Sequence, residues 1–222
     1  MNLTDELIEI ISTNRISTTE IADALGKTGS LFGLAPLSQG KHIVGKIHHI
    51  KAFNGSNFEV HKQIINIPPG HVIFIECINF GNVAVIGDLI SKSVLLYGKS
   101  KAIIVDGFVR DTSRLIKENY AIWCKGSNPV GAVNFDNGII ETSDLSVSGG
   151  IAVCDDGGVV IIPPNAITAE LIRLVTAIEL QEDIWYFCLD TLKWNTFEIV
   201  CEKKYLDFPD LLPPDLRSNF HI

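Results

Sequence analysis

Apolar residues recur at intervals of three and four over residues 3–12, which predicts an amphipathic helix. Ser17 and Glu20 have the spacing of a capping box, so we expect a second helix to begin at this point. Gly26 follows the last apolar residue of that helix and can close it in the left-handed conformation. Both helices are expected to pack against the rest of the fold.

Between residues 42 and 162, short β-branched runs are separated by turn-forming residues and short helical patterns. This pattern is typical of an α/β protein. Ala102–Val105 has the composition of a buried strand and ends in Asp106–Gly107, and Asn137–Gly138 predicts a hairpin. The predicted strands cover residues 42–52, 71–77, 102–106, 121–124, 130–135, 139–141, 151–154 and 159–162, and the helices between them cover 57–66, 89–97 and 112–118.

After Pro163–Pro164 the apolar spacing becomes helical again. Asn165 is a suitable cap for a long amphipathic helix that extends to about Leu189. The tail up to residue 222 mixes charged residues, aromatic residues and prolines, which predicts an extension wrapping its own body or a neighbouring subunit. We therefore predict one domain over 1–222, with a core over about 3–190 and a C-terminal extension over 191–222.

Composition narrows the class of protein. The chain has 222 residues, of which 46% are hydrophobic, and this is enough for a well-filled core. The net charge of −8, with no cluster of Lys and Arg, disfavours direct nucleic-acid binding. The five scattered cysteines favour reduced thiols over disulfides or zinc. Neither a signal peptide nor an apolar run of membrane-spanning length is recognisable, so we expect a cytoplasmic protein without a membrane partner.

Three of the six histidines lie at residues 42, 48 and 49, which raises the question of a metal site. Adjacent residues of a strand point to opposite faces, so His48 and His49 are poorly placed to share one ion. Few other ligand types lie nearby in the sequence. A structural or surface role is the favoured interpretation, and a ligand role is the alternative.

The candidate chemistry lies in Gly87–Leu89 and in Arg110–Asp111, two stretches that follow predicted strands. Strand ends fix side chains while the following loops expose them, so functional residues are common there. The amides of the Gly87–Leu89 turn could bind a small carboxylate. There are also purely structural interpretations: Asp88 as a helix cap, and Arg110–Asp111 as a surface ion pair or a cap before Thr112.

Six motifs appear in the order and approximate spacing of the RraA-like family, which the chain therefore resembles over about residues 3–190. This family includes the 4-hydroxy-4-methyl-2-oxoglutarate aldolases, which are class II pyruvate aldolases, and the regulators of ribonuclease E activity. Each motif alone is weak, but six in order are fairly specific. The motifs are Thr18–Gly26, Ile43–Gly45, Pro69–Val72, Gly87–Leu89, Val105–Asp111 and Asp156–Pro163.

The resemblance implies a swivelling β/β/α domain that assembles as a homotrimer or homohexamer, with sites between subunits. The aldolase branch uses a divalent metal, usually Mg²⁺ or Mn²⁺, and carries an Asp-x20-Arg-Asp signature. Asp88, Arg110 and Asp111 match its first Asp, its Arg and its last Asp. In this sequence 21 residues separate Asp88 from Arg110, one more than the signature has, and an extra residue in the Gly98–Lys101 turn would account for the difference.

The resemblance also gives these residues roles in cleaving a 4-hydroxy-2-oxo acid or decarboxylating oxaloacetate. Asp111 would hold the metal, directly or through water, because hard oxygen ligands select Mg²⁺ or Mn²⁺. Arg110 has the planar fork suited to the keto oxygen and carboxylate of a 2-oxo acid. Asp88 would orient or deprotonate a water that carries the proton. By analogy, another subunit would supply a further acid, for which Glu182 is preferred to Glu179.

Two alternatives remain open. A Schiff-base aldolase needs a buried lysine, but the nearby lysines, Lys92, Lys99 and Lys101, fall in a helix or a polar turn, so this route ranks below the metal route. The second alternative is that the chain belongs to the regulator branch and binds a protein partner such as ribonuclease E without catalysis. The acidic charge favours the regulator, whereas retention of the Arg-Asp pair favours the lyase.

Overall fold

The computed structural model describes residues 2–140 and 147–218. The chain divides into two compact units, Met1–Thr168 and Ala169–Ile222. This boundary lies at the start of the long C-terminal helix, whereas the sequence suggested a division near residue 190. The assignment of the whole chain to one domain stays a prediction.

The N-terminal unit begins with helices α1 (Leu3–Asn14) and α2 (Thr18–Ala24). The predicted capping box of α2 is confirmed, because the Glu20 amide donates to Ser17 Oγ and the Ser17 amide donates to the Glu20 carboxylate. Gly26 has a φ of +73°, the left-handed conformation expected of a residue that closes a helix.

Within the described residues, eight strands form one sheet in the order β1-β6-β5-β3-β2-β7-β8, with β4 beside β5. The strands from β2 to β6 pair in parallel, and β1, β7 and β8 pair in antiparallel fashion. The strands are β1 (Ala35–Pro36), β2 (Ile43–Phe53), β3 (Val72–Ile78), β4 (Ala84–Ile86), β5 (Ala102–Val109), β6 (Ile122–Ser127), β7 (Ile151–Asp155) and β8 (Gly158–Ile162), and between them lie helices α3 (Phe58–Gln63), α4 (Asp88–Lys92) and α5 (Thr112–Lys117).

The two ends of the sheet lie close together. The Leu31 amide donates to the Val159 carbonyl at 3.0 Å, and Ser30 forms a bridge with Val160 of β8. The sheet is therefore nearly closed and barrel-like, and the predicted α/β class is confirmed.

The central strands are buried on both faces. Ile73 and Ile103 belong to one apolar cluster, while their neighbours Phe74 and Ile104 belong to another. Because successive side chains of a strand point to opposite faces, these two clusters cover the two faces of the sheet. The positions at which β4 and β5 end are consequently fixed by a packed interior.

The predicted hairpin around Asn137–Gly138 is wrong. Over residues 130–140 only Gly131 and Val133 make isolated bridges, to Ala84 and Ser56. The Asn137 amide group instead donates to the Asn54 carbonyl at 2.6 Å, so hydrogen bonds to a distant turn replace those of a hairpin. The end of the predicted strand, residue 141, lies outside the described residues.

The C-terminal unit contains α6 (Ala169–Asp190) and α7 (Pro214–Ser218). Asn165 falls in a short 3₁₀ turn, and the long helix begins at Ala169, three residues later than a cap at Asn165 predicts. The residues between α6 and α7 include a π-helical turn and two 3₁₀ turns. Their buried side chains form a small core with α6, made of Ile184, Cys188, Ile199, Tyr205 and Leu212. Among the described helices, none has the length and apolar character needed to cross a membrane.

Candidate functional site

The two predicted active stretches leave the sheet side by side. β4 runs parallel to β5, with Ile86 opposite Val109, so the residues that follow them emerge at the same edge. The Arg110 amide donates to the Ile86 carbonyl at 2.9 Å, and this hydrogen bond joins the C-terminal ends of β4 and β5. The structure thus brings Gly87–Leu89 and Arg110–Asp111 into contact, although they are far apart in the sequence.

The Arg110 side chain lies between two glycines. A Cβ atom at Gly87 would lie 2.9 Å from Arg110 Cγ and would also collide with Asp111 Oδ2. A Cβ atom at Gly131 would collide with Arg110 Nη1 and lie 3.1 Å from its Cζ. Neither glycine can carry a side chain without displacing Arg110, so this guanidinium occupies a narrow slot while remaining half-exposed.

The Asp111 carboxylate faces the residues that follow β4. Its φ of +59° is uncommon for a residue other than glycine. It precedes α5, yet its side chain makes no capping hydrogen bond to that helix, so the predicted cap before Thr112 is absent. Instead Asp111 Oδ2 accepts from the Asp88 amide at 3.1 Å. Its ion pair with Arg110 is long, with 3.9 Å between Nε and Oδ2.

Asp88 has one paired and one unpaired carboxylate oxygen. Oδ2 lies 3.1 Å from Arg114 Nε, and the side chain is only 17% exposed. Oδ1 is buried and has no hydrogen-bond partner within the described part of the chain. A buried, unpaired carboxylate oxygen is unfavourable by about 1–3 kcal/mol or more, so this atom is a natural position for a water, a cation or a substrate group. Asp88 opens α4 at its first helical position, but the cap position itself belongs to Gly87.

A cleft of about 580 Å³ opens over these residues. Its volume is within the range of about 300–1,000 Å³ that is usual for small-molecule sites. The lining contains two carboxylates, two guanidiniums and several hydroxyl and amide groups. The lining residues are Asp88, Leu89, Arg110, Asp111, Thr112, Ser113, Arg114, Ser127, Asn128 and Pro129.

Arg114 is the charged residue of this cleft that our sequence reasoning missed. It lies three residues after Asp111, one turn into the helix predicted over 112–118. Residues three apart along a helix lie on the same face, so the helical spacing was the signal in the sequence that could have placed Arg114 near Asp111. The lysines considered for a Schiff base, Lys92, Lys99 and Lys101, are not among the residues that line the cleft.

The other candidate metal ligands are histidines of β2 and its start and two glutamates of α6. His49 Nε2 lies 2.9 Å from the Glu76 carboxylate and its ring stacks on Phe74, a structural arrangement. Burial, together with His71 and His49, lowers the pKa of His48.

Over residues 2–140 and 147–218, no group of three or more His, Cys, Asp or Glu side chains is arranged to hold an ion. Glu179 and Glu182 lie on α6 in the C-terminal unit, so the role of Glu182 as a ligand from another subunit stays a prediction.

The donor set nevertheless fits a hard divalent cation. Asp88 and Asp111 both line the cleft, and one Asp88 oxygen is buried without a partner among the described residues. Mg²⁺ typically keeps several waters and takes one or two carboxylates from the protein. The two carboxylates of this cleft therefore match the number that such an ion usually takes from a protein.

The fold and this cleft define a class: a mixed α/β domain with a nearly closed sheet and a polar site at neighbouring strand exits. The RraA-like family model, described as Aldolase/RraA, matches residues 18–161, and the chain belongs to this family. The resemblance inferred from the six motifs is confirmed.

Two proteins are similar in sequence to this chain. Protein DlpA of Legionella pneumophila is 30% identical over 190 residues, which cover 80% of this chain and 30% of DlpA, so the chain spans about a third of that protein's length. A protein of Halalkalibacterium halodurans named "Putative 4-hydroxy-4-methyl-2-oxoglutarate aldolase" is 30% identical over 155 residues, covering 67% of this chain and 73% of that protein.

A solved structure agrees in fold. Streptomyces coelicolor RraAS2, described as an unusual member of the RNase ES inhibitor RraA protein family, has a TM-score of 0.63 and 21% sequence identity. The similarity covers 81% of this chain and 95% of RraAS2. The family thus includes proteins named as aldolases and proteins named as ribonuclease inhibitors.

Proposed function

We propose that this protein is a divalent-metal-dependent lyase that acts on 2-oxo acids through a pyruvate enolate. Its substrates would be 4-hydroxy-2-oxo acids of the 4-hydroxy-4-methyl-2-oxoglutarate type, which it cleaves, and oxaloacetate, which it decarboxylates. The observation that supports this function is the position of Arg110, Asp88 and Asp111 around one cleft, with Asp88 Oδ1 buried and unpaired within the described residues. Names of relatives such as the Halalkalibacterium protein point in the same direction.

Asp111 is the residue of this chain that would hold Mg²⁺ or Mn²⁺, directly or through water, and Glu182 of another subunit is proposed as a further ligand, while Asp88 would orient a water beside the ion. When bound, the ion would supply Lewis-acid stabilisation of charge on the substrate C2 oxygen. Arg110 would bind the keto oxygen and the adjacent carboxylate through its planar fork, and its slot between Gly87 and Gly131 keeps that fork in place.

Gly87–Leu89 is proposed to form the opposite side of the substrate site. In the structure the Asp88 amide is engaged by Asp111, so this amide orients the Asp111 carboxylate rather than a ligand. The Leu89 side chain is exposed and lines the cleft, where it would shield the reacting carbons from water.

Asp88 is proposed to move the proton. In cleavage, the proton of the C4 hydroxyl passes to Asp88, directly or through a water, and the C4–O bond becomes the carbonyl double bond of the departing product. The C3–C4 bond breaks at the same time, and its electrons form the enolate of pyruvate. A proton then returns to C3 to give pyruvate. In oxaloacetate decarboxylation the C3–C4 electrons form the same enolate as CO₂ leaves, and only the final protonation is required.

Pyruvate release from oxaloacetate and from a 4-hydroxy-2-oxo acid tests this function. We expect turnover that requires added Mg²⁺ or Mn²⁺, stops with EDTA, and is lost in Arg110→Ala and in Asp111→Ala. Asp23→Ala and Arg173→Ala are matched controls, because each removes one partner of an exposed ion pair outside the cleft. Undiminished turnover in Arg110→Ala or Asp111→Ala would contradict the site.

A second candidate is a non-catalytic regulator that binds a protein partner such as ribonuclease E. The net charge of −8 favours it, because an acidic surface suits a basic protein partner. Inhibition of a purified ribonuclease, together with no pyruvate release under any metal, would support the regulator. Clear pyruvate release, together with a pull-down that recovers no bound protein partner, would contradict the regulator hypothesis.

A further inference from the structure

Arg114 gives the cleft a second guanidinium. It lies on α5, and its amide donates to the Asp111 carbonyl at 2.9 Å, so its backbone is tied to the residue proposed to hold the metal. Its side chain is 62% exposed and lines the same cleft as Arg110. The cleft lining contains as many guanidiniums as carboxylates, although the chain as a whole has a net charge of −8, so the site is less acidic than the protein around it.

The Arg114 guanidinium is only partly used. Its Nε lies 3.1 Å from Asp88 Oδ2, and this is its one ion pair within the described residues. A guanidinium presents five N–H donors in a fixed plane, so the Nη groups remain able to bind a second anion while Nε faces Asp88. The neighbouring groups in the cleft, from Ser113 and Asn128, are also polar.

The cleft has room for more than the part of the substrate that reacts. A 2-oxo acid head group needs one guanidinium, which Arg110 supplies under the proposed function, and a volume of about 580 Å³ leaves space for the rest of a five- or six-carbon acid. The ligand group best matched to a guanidinium that lines a small polar cleft and whose Nη groups can still donate is a carboxylate.

We propose that Arg114 binds the distal carboxylate of a dicarboxylic 2-oxo acid and thereby selects dianionic over monoanionic substrates. This inference rests on the proposed function for the reaction, but it assigns a separate role to a separate residue. Arg114 is a specificity-determining residue, and Arg110 with Asp88 and Asp111 performs the chemistry. Because its Nε also contacts Asp88, loss of Arg114 has a second effect that is common to all substrates.

The test compares two substrates that differ only in the distal group: 4-hydroxy-2-oxoglutarate, a diacid, and 4-hydroxy-2-oxopentanoate, a monoacid. In Arg114→Gln we expect kcat/KM for the diacid to fall about 10- to 100-fold more than for the monoacid, mainly through KM, because truncating one partner of a charge pair weakens binding of the other. Arg114→Lys should restore part of this selectivity, since it keeps the charge but loses the fork. Lys117→Gln, which removes an exposed charge of α5 outside the cleft, should leave the ratio unchanged.

A binding measurement separates failure of this inference from failure of the proposed function. Titration with 2-oxoglutarate and 2-oxopentanoate in the presence of Mg²⁺ requires no turnover. Tighter binding of the diacid that depends on Arg114 supports the inference, even if the wild-type protein releases no pyruvate. Equal effects of Arg114→Gln on both members of either pair, or no binding of the diacid by the wild type, would overturn it.

Discussion

Two aspartates at strand ends, Asp155 and Asp88, show how the same residue type can serve different purposes. Asp155 ends β7, and its carboxylate accepts from the Thr18 amide at 2.7 Å, the Thr18 hydroxyl at 2.6 Å and the Gly157 amide at 2.8 Å. Asp88 follows β4, and its Oδ1 is buried without a partner among the described residues. A carboxylate whose hydrogen bonds are all internal stabilises the fold, whereas one with an unpaired buried oxygen is prepared for a ligand.

The sharpest test of this comparison replaces Asp88. In Asp88→Asn we expect kcat for pyruvate release to fall by about 10³-fold, because the amide cannot accept the proton. Its ion pair with the half-exposed Arg114 contributes little, so the free energy of unfolding should change by less than about 1 kcal/mol. Urea titration and a pyruvate assay measure both quantities. A variant that kept its activity and lost stability would reverse the assignment.

Replacing Asp155 should have the opposite effect. Asp155→Ala removes two hydrogen bonds that join β7 to the start of α2 and one within the turn after β7, so we expect the free energy of unfolding to fall by about 2–3 kcal/mol. Activity per folded molecule should be unchanged, because Asp155 does not line the cleft. Selective loss of kcat in the stable fraction would show that the contrast between the two aspartates is mistaken.

The glycines beside the two aspartates extend the comparison with a smaller effect. A Cβ atom at Gly87 would displace Arg110 and Asp111, so Gly87→Ala should lower kcat/KM by about 10-fold. A Cβ atom at Gly157 would lie 3.0 Å from Thr18 Oγ1, so Gly157→Ala should lower stability by about 1 kcal/mol and leave kcat/KM unaffected. Thermal unfolding and steady-state kinetics of both variants check this; similar profiles for the two would count against it.

Much of the fold was predictable from local signals. The capping box at Ser17 and Glu20 and the apolar run of β5 both depend on neighbouring residues, and both predictions are confirmed. The hairpin at Asn137–Gly138 failed for the converse reason. Its Asn side chain is engaged by Asn54, 83 residues away, and no local pattern records that contact.

The site was predictable to a similar degree. The strand-end rule and the six motifs selected Asp88, Arg110 and Asp111, and the structure brings them to one cleft. The pairing of Asp88 with Arg114 and the direction of the Asp111 carboxylate could not be predicted from the sequence. Both depend on the backbone geometry of the residues that follow β4 and β5, which only the folded sheet brings together. The contribution of Glu182 depends on a second subunit and remains a prediction.

The pairing of β2 has a consequence for how this domain unfolds. Residues Ile43–Lys46 pair with β7 in antiparallel fashion, and Ile47–Phe53 pair with β3 in parallel. One continuous strand, β2, therefore belongs both to the parallel part of the sheet and to the antiparallel part. Neither part can unfold without breaking strand pairing in the other. Amide exchange in β3 and in β7 should accordingly proceed through the same cooperative opening, at one shared rate.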